Sequence, residues 1–284
     1  MPGVVNPSSS PQRSPLRYPG GKTWLIPRAR RWLRAASPRP RVLLDAFAGG
    51  GSIALLAAAE GLVDEVVMVE RDPDVAALWR VALHGPVEDL ARRVEGFTPD
   101  AESLSALFAT APVDDLDRAF TYLVRNRVAH GGIVAPRAGV IRVGEYGQGV
   151  ASRWYPDTLA RRLRDLVGYR DRVTFIEGDG LDELAARHDD PRVALFLDPP
   201  YSAAGKRAGE RLYRYATLDH DRLLRLAAGA RGPVLVTYDD TPETRERALA
   251  VGLAFRSVPM RTRQGRTAYE LLIARDESTI DTLE

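Results

Sequence analysis

A short apolar run in this chain ends on residues that could do chemistry on an amino group. In VALFLDPPY, residues 193–201, five apolar residues lead directly into Asp198, Pro199, Pro200 and Tyr201. Proline is kept out of sheet interiors, so the two prolines predict the C-terminal edge of a sheet, where α/β proteins place their ligands. Proline has no N–H, which leaves nearby carbonyls without a neighbouring donor to engage them. Asp198 can then accept one hydrogen of an amino group while the Pro199 carbonyl accepts the other. Held in this way, the nitrogen lone pair is less conjugated with its ring and more available to attack a methyl sulfonium. Tyr201 offers a ring face on which the same base can stack.

A second set of residues could hold a cofactor. In DAFAGGGSIA, residues 45–54, a strand-like run ends in glycines and feeds a helix, so backbone amides can approach a ligand closely. Gly49, Gly51 and Ala54 fit G-x-G-x-x-A, and Glu70 lies 19 residues after Gly51, placed to accept both hydroxyls of a ribose. A dinucleotide and S-adenosylmethionine both fit this pattern. Asp45 favours the second, because a carboxylate there suits an ammonium and repels a pyrophosphate. A third stretch, LRYPGGKTWLIPRARRWL at residues 16–33, contains GKT but has Leu16 where a P-loop needs glycine. Lys22 is one of only two lysines among 40 basic residues, which suggests a compact point charge paired with a carboxylate.

These residues need a scaffold that brings strand ends together. Runs at 41–47, 64–70, 172–178, 192–198 and 232–240 read as strands, each followed by a helical pattern, which predicts an α/β, mostly parallel, doubly wound sheet. Residues 252–259 and 266–275 leave no room for a helix between them and predict a C-terminal antiparallel hairpin. The rhythm breaks between 84 and 170, read as an inserted, mainly helical subdomain between the two parts of a catalytic domain, 16–83 and 171–276. Residues 1–15, rich in proline and serine, and residues 277–284 read as tails.

The chain has 284 residues, 45% of them hydrophobic, no cysteine and a formal charge of +2 from 40 basic and 38 acidic residues. It carries no apolar run approaching the ~20 residues of a membrane span. A soluble cytoplasmic protein without a membrane partner is therefore expected. Three arginine-bearing stretches could follow phosphates: residues 125–142, with Arg137 and Arg142; residues 206–214, with Lys206, Arg207 and Arg211; and residues 261–266.

In their order, RYPGGK, DAFAGGG, VERD, an insertion, EGD, DPPY and ELLI, these motifs resemble the Dam-type (D12 class) DNA adenine-N6 methyltransferases, over about residues 16–273. The resemblance implies a Rossmann-like methyltransferase fold, S-adenosylmethionine as cofactor and no metal. It implies that Tyr18 and Lys22 contact the methionine end, that Asp45, Phe47, Gly49 and Gly51 line the pocket, and that Glu70 holds the ribose. Asp179 would lie near the adenine amino group, and Asp198, Pro199, Pro200 and Tyr201 would be catalytic. RNRVAHGG resembles the family's Asn-Arg followed by glycine, which puts Asn126 and Arg127 in a DNA-facing target-recognition region. Double-stranded DNA is the implied partner, and a separately encoded restriction endonuclease is compatible with it. Three other readings stay open: an RNA adenine-N6 methyltransferase, a nicotinamide- or flavin-dependent oxidoreductase that shares only the glycine loop, and an inactive DNA-binding module.

Overall fold

The structure, a computed structural model, describes residues 11–17, 21–129, 149–200, 218–261 and 267–283. The apolar runs form strands β1 (Val42–Asp45), β2 (Glu65–Glu70), β3 (Val173–Glu177), β4 (Val193–Leu197) and β5 (Val234–Asp239), followed by β6 (Ala254–Arg261) and β7 (Thr267–Ala274). They make one sheet in the order β3-β2-β1-β4-β5-β7-β6. The first five are parallel, and β7 runs antiparallel between β5 and β6. The expected hairpin is therefore present, with its second strand inserted next to β5. Pro259 sits on β6, the sheet's last strand, where a missing donor is tolerated.

Every residue of β4 is buried, as a parallel strand covered on both faces requires. Alternate residues divide between two cores. Leu43, Val66, Ala194 and Leu235 face one side with α1 (Ile26–Ala35), α2 (Ser52–Glu60) and α3 (Pro73–His84). Leu44, Val67, Leu195 and Val236 face the other, with α8 (Gly180–Arg187), α9 (His220–Gly229) and α10 (Pro242–Ala250).

The region expected as an inserted subdomain contributes α4 (Val87–Glu95), α5 (Ala101–Ala109), α6 (Asp115–Val128) and α7 (Pro156–Asp165). Its buried Leu90, Val94, Leu123 and Leu163 belong to the same core as α1, α2 and α3. Packing thus runs without a break from the sheet into this region. The expected C-terminal tail also differs: residues 277–281 form α11 (Glu277–Asp281), with Ile280 and Leu283 buried. Arg31 of α1 donates to the Leu283 carbonyl at 2.8 Å, which ties that end to the first helix.

Candidate active site

The carboxylate of Asp198 comes directly after β4 and is held from two directions. Thr237 of β5, fully buried, donates its hydroxyl to Oδ1 at 2.7 Å. Lys22 Nζ lies 2.9 Å from the same oxygen. Both donors converge on one side of the carboxyl group, whose side chain keeps 22% of its surface exposed. Pro199 is buried and Pro200 half-buried.

Lys22 is itself only 3% exposed, and the residues C-terminal to it fix its place. A single helical turn, Thr23–Leu25, leads into α1, and Trp24, Leu25 and Ile26 anchor that turn in the core. Burial pulls the Lys22 ammonium down, but the Asp198 and Glu270 carboxylates outweigh it and hold the group above its ordinary value. Glu270 of β7 is buried, with Oε2 3.7 Å from Lys22 Nζ. The expected pairing of Lys22 with a carboxylate is present, on the catalytic candidate itself.

The glycine loop occupies the neighbouring strand end. Asp45 closes β1 and is 1% exposed, and its Oδ1 has no hydrogen-bond partner among the described residues. Burial, with repulsion from Asp198 and Glu70, pushes its carboxyl up to about 8 against the pull of the Ala54 and Phe47 amides. Gly49 (φ 47°) and Gly51 (φ 64°) take left-handed conformations that favour glycine. A Cβ at Gly51 would lie 2.9 Å from the Met68 side chain and 3.1 Å from the Trp79 ring. Fully buried Trp79 donates its indole N–H to the Gly49 carbonyl at 2.9 Å.

Glu70 ends β2 and accepts three backbone N–H bonds, from Gly49 at 3.0 Å and from Arg71 and Asp72 at 2.8 Å each. Burial still dominates and raises its carboxyl to about 7. A carboxylate has about four lone-pair sites, so one is left for a ligand hydroxyl. Asp179 caps α8 by accepting from Leu181 N at 2.9 Å, with Oδ2 3.5 Å from Arg71. Next to it, a Cβ on Gly180 would come within 2.0 Å of the Ala46 carbonyl, so only glycine lets α8 start against the loop after β1. Phe47, half-buried, packs against the core on the α8 side.

The ends of β1, β2, β3 and β4 thus bring Asp45, Glu70, Asp179 and Asp198 to one sheet edge, with Lys22 and the glycine loop. Tyr18, Tyr201, Arg137, Arg142, Lys206, Arg207 and Arg211 lie outside the described residues. Thr237, Glu270 and Trp79 were not singled out as site residues from the sequence. Among the described residues, no group of His, Asp or Glu could hold a metal ion, and no helix is long and apolar enough to cross a membrane.

Asn126 and Arg127 face inward rather than toward a DNA surface. Asn126, fully buried, receives the Arg17 amide on Oδ1 at 2.8 Å and donates from Nδ2 to the Arg17 carbonyl at 2.9 Å. Arg127 donates to the Pro15 carbonyl, and Arg162 of α7 donates to Ser14 O at 3.2 Å. The physical reason is that residues 14–17 lie across α6 and α7, where these polar groups hydrogen-bond their backbone. Residues 14–15, expected within a free tail, are held in the same way. Asn126→Ala is expected to destabilise folding by about 2–4 kcal/mol, because both side-chain bonds to the Arg17 backbone are lost from a buried site. Calorimetric melting should show a Tm lower by on the order of 5–10 °C.

No family model matches the sequence, and no curated protein matches it. Several solved structures resemble the fold at low identity. A precorrin-6y C5,15-methyltransferase from Geobacter metallireducens GS-15 is 12% identical, with 88% of this chain and 86% of that chain covered at a TM-score of 0.37. The rRNA methyltransferase aviRa from Streptomyces viridochromogenes is 13% identical, with 92% and 87% covered at 0.38. A precorrin 8W decarboxylase from Methanobacterium thermoautotrophicum is 15% identical, with 85% and 84% covered at 0.30. Likenesses at this level say nothing of substrate. The strand order, five parallel strands with β7 antiparallel between β5 and β6, makes this chain an α/β protein with a Rossmann-like, mostly parallel doubly wound sheet.

Proposed function

We propose that this chain is an S-adenosylmethionine-dependent methyltransferase that modifies N6 of adenine in duplex DNA. The observation that carries this reading is Asp198 at the end of β4, gripped through Oδ1 by Lys22 and Thr237 and followed at once by two prolines. With Oδ1 engaged, Oδ2 is the oxygen left to accept an amino hydrogen. The Pro199 carbonyl is the second acceptor, and Tyr201 supplies the stacking face. Adenine N6 is paired within the duplex, so the base must leave the stack to reach these acceptors. As its nitrogen gains a methyl group it sheds one proton, and Oδ2 is placed to receive it. Much of the rate then comes from orientation and preorganised acceptors.

The residues of the neighbouring strand ends fit the cofactor. S-adenosylmethionine, when bound, supplies an electrophilic methyl on a sulfonium. The orphaned, buried Asp45 Oδ1 suits its ammonium, and the fourth lone-pair site of Glu70 suits a ribose hydroxyl. Asp179, Phe47, Gly49, Gly51 and Tyr18 complete the proposed pocket. Duplex DNA is the proposed partner, through Arg137, Arg142, Lys206, Arg207 and Arg211, and the cytoplasm is the proposed location.

Asp45 gives the reading a pH signature. Its carboxyl, at about 8, holds a proton through neutral pH, while an ammonium needs the ionised form. Cofactor binding below that pH must release the proton, so affinity rises as pH rises, by about tenfold per unit from pH 6 to 8, and then levels. Calorimetric titration across this range measures the slope, and a flat profile contradicts the role given to Asp45.

Transfer of tritiated methyl from S-adenosylmethionine to matched DNA and RNA duplexes tests the function itself. Label in DNA is expected. Label in RNA alone selects the RNA alternative, and label in neither overturns both.

A further inference from the structure

The grip on Asp198 reaches beyond Lys22 to two neighbouring strands. We propose that Thr237 and Glu270 are positioning residues for Asp198: with Lys22 they form a buried network that fixes which carboxylate oxygen faces the substrate. The proposal rests on the methyltransferase reading for its kinetic consequence, though the network itself rests on geometry alone.

Thr237 and Glu270 come from strands that the fold makes neighbours. In the β5–β7 ladder Thr237 pairs with Leu272 and Asp239 with Glu270. Leu271 and Ile273 belong to the α8–α10 core and Leu272 to the α1–α3 core, so Glu270 lies on the same sheet face as Thr237 and Lys22. Antiparallel insertion of β7 beside β5 is what sets Glu270 across from the end of β4.

Each member has a distinct physical task. A carboxyl group turns about its last torsion between two equivalent orientations. Two donors on Oδ1, Thr237 Oγ1 at 2.7 Å and Lys22 Nζ at 2.9 Å, remove that equivalence. Thr237 lies inside β5 among Val234, Leu235 and Val236, where a valine would fill the space equally well, so the hydroxyl serves the bond to Asp198. Glu270 meets a different need. A buried ammonium must be compensated, and Glu270 is a second carboxylate 3.7 Å from Nζ beside Asp198 at 2.9 Å. Lys22 is thereby anchored at two points. Of the other acids at this sheet edge, Asp45 ends β1, with its carboxyl raised in part by Asp198, and Asp239 ends β5.

The composition of the chain makes the network measurable. Only Lys22 and Lys206 are lysines, so protein labelled with 13C at lysine Cε gives two side-chain signals. The full-length chain is compared with its Thr237→Val, Thr237→Ser and Glu270→Gln variants. Thr237→Val is expected to lower kcat for DNA methylation on the order of 10-fold to 100-fold, with KM for DNA and affinity for S-adenosylmethionine unchanged. Thr237→Ser, which restores the hydroxyl, should recover most of the lost kcat. Glu270→Gln should move the Lys22 titration midpoint to lower pH while the Lys206 signal stays put. Unchanged kcat in Thr237→Val, equal impairment in valine and serine variants, or an unmoved Lys22 signal in Glu270→Gln would overturn the assignment. If the wild-type chain methylates no nucleic acid, the functional reading fails by itself. The lysine titration then still decides for or against the network.

Discussion

Asp198→Asn is expected to reduce methyl transfer by about 10²–10³-fold, the usual cost of losing one preorganised polar contact at a reacting centre. The replacement keeps size and shape. It removes the negative charge that pairs with Lys22, and its amide presents donor hydrogens where the carboxylate presented only acceptors. If the amide turns its oxygen toward the substrate, its NH2 faces the Lys22 ammonium and the Thr237 hydroxyl. If it turns the other way, NH2 meets the substrate's amino hydrogens. Neither orientation satisfies both sides. Cofactor affinity above about pH 8 should change little, because the described residues of the proposed pocket follow β1, β2 and β3, and Asp45 is then ionised with or without the Asp198 charge beside it. Single-turnover methylation alongside calorimetric binding separates the two effects. Near wild-type turnover would remove Asp198 from the mechanism.

Lys22→Met is the substitution with the largest expected effect on folding. It fills similar space but leaves Asp198 and Glu270 without their shared cation, and Glu270 is only 5% exposed. Removing one partner of a buried ion pair costs about 3–5 kcal/mol, because the remaining charge is stranded away from water. Urea unfolding should show the midpoint fall with the slope retained. The double variant Lys22→Met with Glu270→Gln should regain part of that loss, since one of the two stranded charges is gone. No recovery would mean that Glu270 does not sense Lys22.

The sequence revealed the parts of this molecule that are set locally. VALFL followed by Asp198 and two prolines announces a buried strand and its end whatever surrounds it. Asp45 and the glycines show in the same way, because φ of 47° and 64° leaves its mark as glycine. The pairing of Lys22 with a carboxylate was legible from its rarity, though not which carboxylate. Thr237 and Glu270 were hidden because only strand order makes them neighbours of Asp198. Thr237 stands 39 residues from its hydrogen-bond partner, and nothing in VLVTYD distinguishes it from any strand threonine. Trp79 likewise reads as one more apolar residue of a helix until its N–H meets the Gly49 carbonyl. Asn126 and Arg127 mislead in the opposite sense. The resemblance of RNRVAHGG to a recognition motif implied a DNA-facing place, whereas their bonds to the arm at residues 14–17 put both side chains in the interior. The region read as an insertion hid its shared core, since the faces of α4, α6 and α7 show amphipathicity but not what they cover.

One comparison tests the proposed chemistry most directly. Genomic DNA from a host lacking adenine methylation, expressing either this chain or its Asp198→Asn variant, is digested to nucleosides and measured by mass spectrometry. The expected result is N6-methyl-2′-deoxyadenosine with the wild-type chain and its near absence with the variant. Unmodified adenine in both samples, from soluble protein that binds S-adenosylmethionine, would contradict the proposed reaction.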